Sequence, residues 1–381
     1  MTRVLRGITW EHDRGCGGVV AAAAAYRAVR PEVQVVWESR SLQAFADQPL
    51  DDLVAHYDLL VIDHPHIPLA AQRGLVVPLD GTGHDDELAV LRAQSVGRSQ
   101  ESYVSGGHQY GLAIDAAAQV AAFRPDLIAA PPRDWPAVLA LAREGRVLWP
   151  AKPIDAFSSL VTVAANAGAS PMRVDGAFLP PADALAALDL LHELAAHVPS
   201  RNLRQNPIEV ADELASGDRW AYSPLLFGYT NYSRAGFRDH RLRYVDVPVG
   251  AQGAAGSLLG GAGIAVSVSA SDPDAAIDHA FWLASADVQR RSYFDGGGQP
   301  GNAAAWDDDR TNELTLDFFR GTRATLDGAY LRPRHADYVT FQDLASPLVT
   351  RALSGDATDA DVVDELNELA ARLLGGPDAH R

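Results

Sequence analysis

Short apolar runs alternate with segments of helical periodicity in the first part of the chain. The run VLRGITW (residues 4–10) predicts a strand, and GGVVAAAAAYRAVR (residues 17–30) predicts a helix that stops at the following proline. VQVVW (residues 33–37) and DLLVID (residues 58–63) predict two further strands. Because strands that alternate with helices form parallel βαβ units, this pattern predicts an α/β fold.

The same alternation continues further along the chain. RVLWP (residues 146–150) predicts a strand, AKPIDAFSS (151–159) a loop, and LVTVAANAG (160–168) a helix. RYVDVPVG (243–250) predicts another strand. The tail TDADVVDELNELAARLL (358–374) repeats leucine and valine at helical spacing, which predicts an amphipathic helix.

Polar and aromatic side chains follow two of the predicted strands. Trp10 and His12 come at the end of the first strand, and Asp63, His64 and His66 come at the end of the third. In parallel sheets, ligands bind beyond the carboxyl ends of the strands. We therefore expect these side chains to line a cleft.

The stretch Asp63-His64-Pro65-His66 has three interpretations. Two histidines one residue apart can bind a metal, but a zinc site needs about three or four ligands, and no matching set is evident elsewhere in the sequence. A histidine beside a carboxylate can act as an acid–base pair. The favoured interpretation is a polar rim that forms hydrogen bonds with a ligand.

Composition narrows the classes of protein. A chain of 381 residues is long enough for two domains. Its net charge is −17, which argues against general nucleic-acid binding. No apolar run is long enough to insert into a membrane. The single Cys16 excludes an internal disulfide, and we expect no cofactor and no bound metal.

Six segments in this order resemble the extracellular solute-binding proteins of carbohydrate ABC transporters, of the maltose- and glycerol-3-phosphate-binding type. The segments that carry the resemblance are YDLLVID…LAAQRGLVVPLD (57–80), YGLAIDAAAQVAAFRPDL (110–127), GDRWAYSP (217–224), VPVGAQGAAGSLLGGAGIAVSVSASDPDAAIDHAFWLAS (247–285), GGGQPGNAAAW (296–306) and ALSGDATDADVVDELNELAARLL (352–374). One departure is that Phe123-Arg124 replaces the family's usual Tyr-Asn.

The resemblance implies a two-lobed, periplasmic-binding-protein-like α/β fold with a ligand cleft between discontinuous lobes. The predicted lobes are residues 1–113 with 263–305, and residues 116–260 with 310–381. The predicted hinge crossings lie near 113–116, 260–263 and 305–310. Gly260, Gly261 and Gly263 suit a hinge, because glycine adopts positive φ without steric cost.

The predicted ligand site draws on both lobes. The resemblance places Asp155 and Phe157 near a carboxylate and an aromatic ring that touch ligand in the family, which suits a polyol. An arginine at Arg332 could bind a carboxylate or phosphate. The full set of predicted ligand-binding residues is Trp10, His12, Asp63, His64, His66, Asp115, Trp149, Asp155, Phe157, Tyr222, Phe227, Tyr229 and Arg332.

Two functions from different classes are consistent with these residues. The first is a binding protein that captures a small polar ligand, a sugar or a related polyol or organic acid, by hinge closure for an ABC importer. Its partner would be the permease, and we expect a monomer. The second is a cytoplasmic enzyme on the same scaffold, with His12, Asp63, His64 and His66 as acid–base residues.

The compartment follows from the function. The resemblance implies an extracytoplasmic protein, at the cell surface or in the periplasm. Arg6, Glu11 and Asp13 interrupt the apolar stretch that a secretion signal requires. If the chain as given is full length, it would instead be cytoplasmic.

Overall fold

The chain forms two compact units. The computed structural model describes residues 2–41, 49–171 and 178–375. The first unit comprises the chain up to Ala117 together with Gly260–Asn312, and the second comprises Ala118–Leu259 together with the chain from Glu313 onward. The chain therefore passes between the units three times.

A five-stranded sheet forms the centre of the first unit. Its strands, in spatial order, are Val33–Arg40, Arg3–Trp10, Leu59–Ile62, Gly263–Val266 and Leu112–Ala113. The first three are parallel, which confirms the predicted βαβ pattern, whereas Gly263–Val266 is antiparallel to both of its neighbours. Leu112–Ala113 consequently runs in the same direction as Leu59–Ile62. Four strands thus end at one edge of the sheet.

Helices and short turns complete the first unit. The α-helices are Gly18–Val29, Leu50–Val54, Ile67–Gln72, Asp85–Ala93, Pro273–Ala284, Ala286–Val288 and Ala303–Trp306. A further helix, Asp309–Leu314, contains the point at which the chain passes into the second unit for the last time. Two segments are π-helical, Asp13–Gly17 and Gln289–Tyr293, and two are 3₁₀ turns, His64–His66 and Glu101–Tyr103. Val104–Ser105 and His108–Gln109 form a small hairpin. Leucine, valine and aromatic side chains from the sheet and the helices pack together in a common hydrophobic core.

The second unit contains an antiparallel sheet surrounded by helices. Ala117–Phe123 pairs with Tyr222–Phe227, Arg243–Val245 and Leu259–Gly260. The α-helices are Trp135–Arg143, Pro153–Asn166, Pro181–Ala195, Pro207–Leu214, Phe318–Asp327, Tyr338–Leu353 and Asp359–Leu374, and the 3₁₀ turns are Ser200–Arg204 and Thr230–Ser233. The last helix confirms the predicted amphipathic tail. The hydroxyl of Thr358 accepts a hydrogen bond from the backbone N–H of Asp361 and so caps the start of this helix.

Three predictions for the second unit are wrong. Residues 151–159 are not a loop, because a helix starts at Pro153, whose fixed φ suits the first helical position. Residues 146–150 are not a strand, and Val147 makes only an isolated bridge to Tyr222. The strand predicted at 243–250 ends at Val245, since the chain beyond it leaves the sheet.

Arg124 explains the departure from the family's Tyr-Asn pair. Its side chain is fully buried and donates two hydrogen bonds to the carboxylate of Asp126, at 2.9 and 2.7 Å. It also donates to the carbonyls of Leu214 and Gly217, just beyond the end of the helix Pro207–Leu214. The arginine therefore joins the central strand to the end of a helix, which makes it a structural residue.

Of the three glycines predicted for a hinge, Gly261 alone has positive φ, at 111°. A Cβ at this position would lie 2.4 Å from the carbonyl oxygen of Asp115. Glycine is therefore required at Gly261 by both backbone conformation and close packing. Gly260 and Gly263 belong to the short strands Leu259–Gly260 and Gly263–Val266.

The helices in the described parts of the chain are all too short or too polar to cross a bilayer.

Candidate functional site

The turn that follows the first strand is built around Trp10. The indole is 5% exposed, and it packs so closely on Gly15 that a Cβ there would lie 2.3 Å from the ring. His12 caps the π-helical segment, because its Nδ1 accepts a hydrogen bond from the backbone N–H of Arg14 at 3.0 Å. Thr9 donates to the carbonyl of Gly15 at 2.8 Å. Trp10 and His12 therefore hold this turn in one conformation.

The π-helical turn presents Arg14 to Asp115. Nε of Arg14 donates to Oδ2 of Asp115 at 2.8 Å, and Nη2 donates to Oδ1 at 2.5 Å. The side chains are 5% and 0% exposed, so this is a buried bidentate ion pair. Asp115 follows the strand Leu112–Ala113, and the pair consequently joins two strand ends of the same sheet edge. Both carboxylate oxygens of Asp115 are engaged by Arg14.

The third strand end carries Asp63 and His64. Nδ1 of His64 lies 3.2 Å from Oδ1 of Asp63, and the His64 side chain is 2% exposed while that of Asp63 is 28% exposed. The imidazole also meets the ring of Tyr103 edge-on, with centroids 6.3 Å apart. Tyr103 donates to the carbonyl of Ile62. Asp63 is therefore the more accessible member of the pair, and His66 is half-buried beside it.

The charged groups at the strand ends act on one another. Burial raises the pKa of Asp115, the hydrogen bonds and charge of Arg14 oppose this, and the charge of Asp63 raises it further. Tyr293, in the second π-helical segment, also lies within reach of the pair: burial raises its pKa, and the charge of Asp115 adds to the effect. The sheet edge of the first unit thus gathers Trp10, His12, Arg14, Asp63, His64 and Asp115.

The first π-helical segment packs backbone to backbone against Gly296, in the turn that follows the second π-helical segment. A Cβ on Gly17 would lie 2.1 Å from the carbonyl oxygen of Gly296, so glycine is needed at the contact. Such helical bulges occur often at functional sites. The close contact fixes the position of Arg14 relative to Tyr293.

In the second unit, three predicted ligand contacts lie in the hydrophobic core. Trp149, Phe157 and Tyr222 are each fully buried. Trp149 donates through Nε1 to Oγ of Ser159 at 3.0 Å. Phe157 packs against the ring of Phe178, with centroids 5.5 Å apart. An aromatic ring suits either a ligand or a core, and the structure places these three in the core.

Asp155 has the least satisfied environment of the predicted residues. It lies in the first turn of the helix Pro153–Asn166 and is 5% exposed, yet its Oδ2 has no hydrogen-bond partner among the described residues. Burial raises its pKa well above the usual range; the charge of Lys152 opposes this, and the charge of Glu209 adds to it. A buried carboxyl oxygen of this kind can accept a hydrogen bond from a ligand.

The other predicted residues of the second unit are spread over two segments. Phe227 is half-buried at the end of its strand, and Tyr229, which is 7% exposed, precedes the 3₁₀ turn Thr230–Ser233. Arg332 is 6% exposed and donates through Nη1 to Oε1 of Gln342 at 3.3 Å. The predicted arginine is therefore in contact with an amide in the second unit.

Arg14 was not among the site residues predicted from the sequence. The residue follows Glu11-His12-Asp13, directly after the first strand, so the strand-end rule that selected Trp10 and His12 would also have reached it. Its partner Asp115 is 101 residues away, and no local pattern links the two. Over the residues that the structure describes, no three histidine, cysteine or acidic side chains form a group suited to a metal ion.

Comparison with protein families gives a match over residues 54–315 to the family described as bacterial extracellular solute-binding protein. The match covers more than half of the chain. The chain belongs to this family. Curated protein sequences gave no match. The family assignment makes the molecule a solute-binding protein and agrees with the resemblance carried by the six segments.

Solved structures of low sequence identity share the fold of this solute-binding protein. Maltose-bound MalE3 of T. maritima has a TM-score of 0.84 at 16% identity, over 98% of this chain and 100% of that one. A solute-binding protein of Agrobacterium radiobacter K84 in complex with ribitol has a TM-score of 0.82 at 19% identity, over 97% and 98%. A solute-binding protein of Thermotoga lettingae TMO bound with α-D-tagatose has a TM-score of 0.81 at 17% identity, over 98% of this chain and 100% of that one.

Proposed function

We propose that this solute-binding protein captures a sugar or polyol outside the cytoplasm, as a monomer, and delivers it to the permease of an ABC importer. The family match over residues 54–315 carries the proposal. The bound ligands of proteins with the same fold, maltose, ribitol and tagatose, support a polyhydroxylated ligand.

The strand-end residues of the first unit supply the chemistry that such a ligand requires. A sugar offers hydroxyl groups, which donate and accept hydrogen bonds, and an apolar ring face, which packs on aromatic side chains. His12, Asp63 and His66 are half-buried polar groups at this edge, and Trp10, which is 5% exposed, is its aromatic group. Arg14 and Asp115 hold the strand ends in position and act as positioning residues.

Asp155 is the proposed ligand contact of the second unit. Its unpartnered oxygen can accept a hydrogen bond from a sugar hydroxyl. A bound hydroxyl would then satisfy an oxygen that the folded protein leaves without a partner. Among the predicted residues of the second unit, Asp155 is the one whose buried oxygen lacks a hydrogen-bond partner and would gain one from a ligand.

A ligand panel tests the proposal directly. We expect isothermal titration calorimetry with maltose, ribitol, tagatose and related sugars to show binding of at least one of them. A saturating ligand should raise the melting temperature, because it binds the folded state alone. Mass spectrometry after long incubation should recover the ligand chemically unchanged, in keeping with a receptor.

Product formation beyond one equivalent per protein would contradict the receptor and favour an enzyme. Such an enzyme would use the acid–base pair of Asp63 and His64, whose side chains are in contact. Failure of every sugar and polyol to bind, with folded protein confirmed by circular dichroism, would reject the ligand class.

Asp155→Asn should make the protein more stable and a weaker binder. At neutral pH we expect a gain of about 1–3 kcal/mol in unfolding free energy, because the substitution removes a buried ionisable group with an unpartnered oxygen. Ligand affinity should fall about tenfold. Urea unfolding and calorimetry measure the two effects.

The pH dependence of this gain has a defined sign. The pKa of Asp155 is higher in the folded protein than in the unfolded chain, so the folded state binds more protons above about pH 4. Its carboxyl therefore lowers stability as the pH rises from about 4, and the advantage of Asp155→Asn should grow with pH and vanish in acid. Asp183, the third residue of another helix that begins with proline, is exposed, and Asp183→Asn should give no such gain.

A further inference from the structure

The first unit contains a polar cavity of about 390 Å³ that is lined by charged residues. The residues that line it are Arg290, Arg291, Asp295, Asp308 and Arg310. Arginines outnumber aspartates here, although the whole chain carries a net charge of −17. The cavity is therefore a locally positive region on a chain whose net charge is negative.

The second π-helical segment shapes this cavity. Gln289–Tyr293 buries Tyr293 beside Arg14 and Asp115, whereas Arg290 and Arg291 on the same segment reach the surface. Arg310 comes from the helix Asp309–Leu314. Two arginines thus come from a segment whose other side is fixed in the protein interior.

Some charges of the cavity are already paired. Arg310 donates to Asp295 at 2.6 Å, and Nη2 of Arg290 donates to Asp287, outside the cavity, at 2.5 Å. Nε of Arg290 is nevertheless a buried donor with no hydrogen-bond partner in the described ranges. Arg291 makes no ion pair with any residue that the structure describes. Nε of Arg290 is shielded from solvent, so the donors that a ligand can reach without a side-chain movement are those of the exposed Arg291.

Asp308 adds an acceptor beside these donors. Its Oδ1 accepts a hydrogen bond from the backbone N–H of Thr311 at 3.1 Å, at the start of the helix Asp309–Leu314. This leaves Oδ2 as an acceptor for a ligand. Guanidinium groups favour carboxylate and phosphate oxygens, and a carboxylate oxygen favours a hydroxyl.

We propose that this cavity binds a small organic anion, with a carboxylate or a phosphate monoester group held by Arg290 and Arg291 and a neighbouring hydroxyl held by Asp308. The anionic group would receive the free donors, and the hydroxyl would donate to the aspartate. This site uses none of the residues assigned to the sugar or polyol. It therefore stands independently of the proposed function.

Three small molecules that differ in one group test the site. We expect calorimetry at low ionic strength to show binding of glycerate or of glycerol 3-phosphate, and none of glycerol. Tighter binding of glycerate would indicate a carboxylate site, and tighter binding of glycerol 3-phosphate would indicate a phosphate site. Binding should weaken as salt is added, because the cavity is open to solvent and its charges are screened.

A charge-removing variant and a matched control locate the binding. Arg291→Gln should weaken the anion at least about fivefold, since it removes a charged donor. The exposed Arg73 of the same unit pairs with Asp51, and Arg73→Gln should leave the affinity unchanged.

Several outcomes would overturn the site. It is rejected if neither anion binds, if glycerol binds equally well, or if Arg291→Gln leaves the affinity of a bound anion unchanged. A loss of affinity shared equally by Arg291→Gln and Arg73→Gln would also reject it, because it would show a general charge effect. Titration of Arg291→Gln with a sugar that binds the parent protein should be unaffected, which separates this site from the proposed function.

Discussion

Replacing Arg14 with methionine is expected to destabilise the protein by about 3–5 kcal/mol, because it leaves the buried carboxylate of Asp115 without its partner. The ion pair is 5% and 0% exposed, so water cannot replace the lost donors. Methionine keeps much of the length of the arginine side chain and adds no charge. The shift of the urea unfolding midpoint measures the loss.

Two further variants distinguish the pair from general damage to the fold. Arg14→Met combined with Asp115→Leu should recover most of the loss, because apolar side chains then replace both charges. Arg73→Met breaks an ion pair whose side chains are 54% and 50% exposed, and it should change stability by less than about 1 kcal/mol. A loss below about 1 kcal/mol for Arg14→Met would contradict the assignment of this pair as the element that joins the strand ends.

Acid should destabilise the first unit through His279. The side chain is fully buried against Tyr26, with ring centroids 4.7 Å apart, and neither ring nitrogen has a hydrogen-bond partner among the described residues. Burial lowers the pKa of His279 to about 3. Since the unfolded histidine titrates near pH 6.5, protonation favours unfolding throughout the interval from about 6.5 down to 3.

The size of this effect follows from the two pKa values. Between them the unfolded chain binds the extra proton, so stability rises with pH and is lost on acidification by about 1.4 kcal/mol per pH unit. The loss reaches about 2 kcal/mol at pH 5 and about 4–5 kcal/mol at pH 3. Urea unfolding of His279→Leu and of the parent protein across this pH range measures the effect. The difference between their unfolding free energies should change by about 1.4 kcal/mol per pH unit.

A matched histidine provides the control. His56 of the same unit is exposed, and we expect His56→Leu to leave the acid slope of the parent protein in place. Equal slopes for His279→Leu and the parent protein would show that His279 does not titrate in this range, and would contradict its burial without a partner.

The sheet of the first unit could be predicted because its strands are local patterns. Apolar runs set the strands at residues 4–10 and 58–63, and the parallel βαβ rule then assigned their carboxyl ends to one edge. That is why Trp10, His12 and Asp63 could be placed at this edge of the sheet from their position alone. The antiparallel pairing of Gly263–Val266 could not be predicted from a local pattern, since this strand returns from a distant part of the chain.

The polar partnerships and the aromatic roles could not be predicted. Arg14 and Asp115 are brought together by tertiary structure, across 101 residues. Trp149, Phe157 and Tyr222 have the same chemical character whether they face a ligand or a core, and burial decides between these roles. Asp155 was predicted to lie in a loop, whereas it lies in the first turn of a helix that begins at Pro153.

The order of the strands along the chain has a consequence for biosynthesis. Gly263–Val266 lies between Leu59–Ile62 and Leu112–Ala113 in the sheet, and all of Ala118–Leu259 is synthesised before it. At about 5–20 residues per second, the synthesis of that stretch takes roughly 7–28 s. During this time the two waiting strands are unpaired edges, to which a holding chaperone, or a strand from a second nascent chain, can bind.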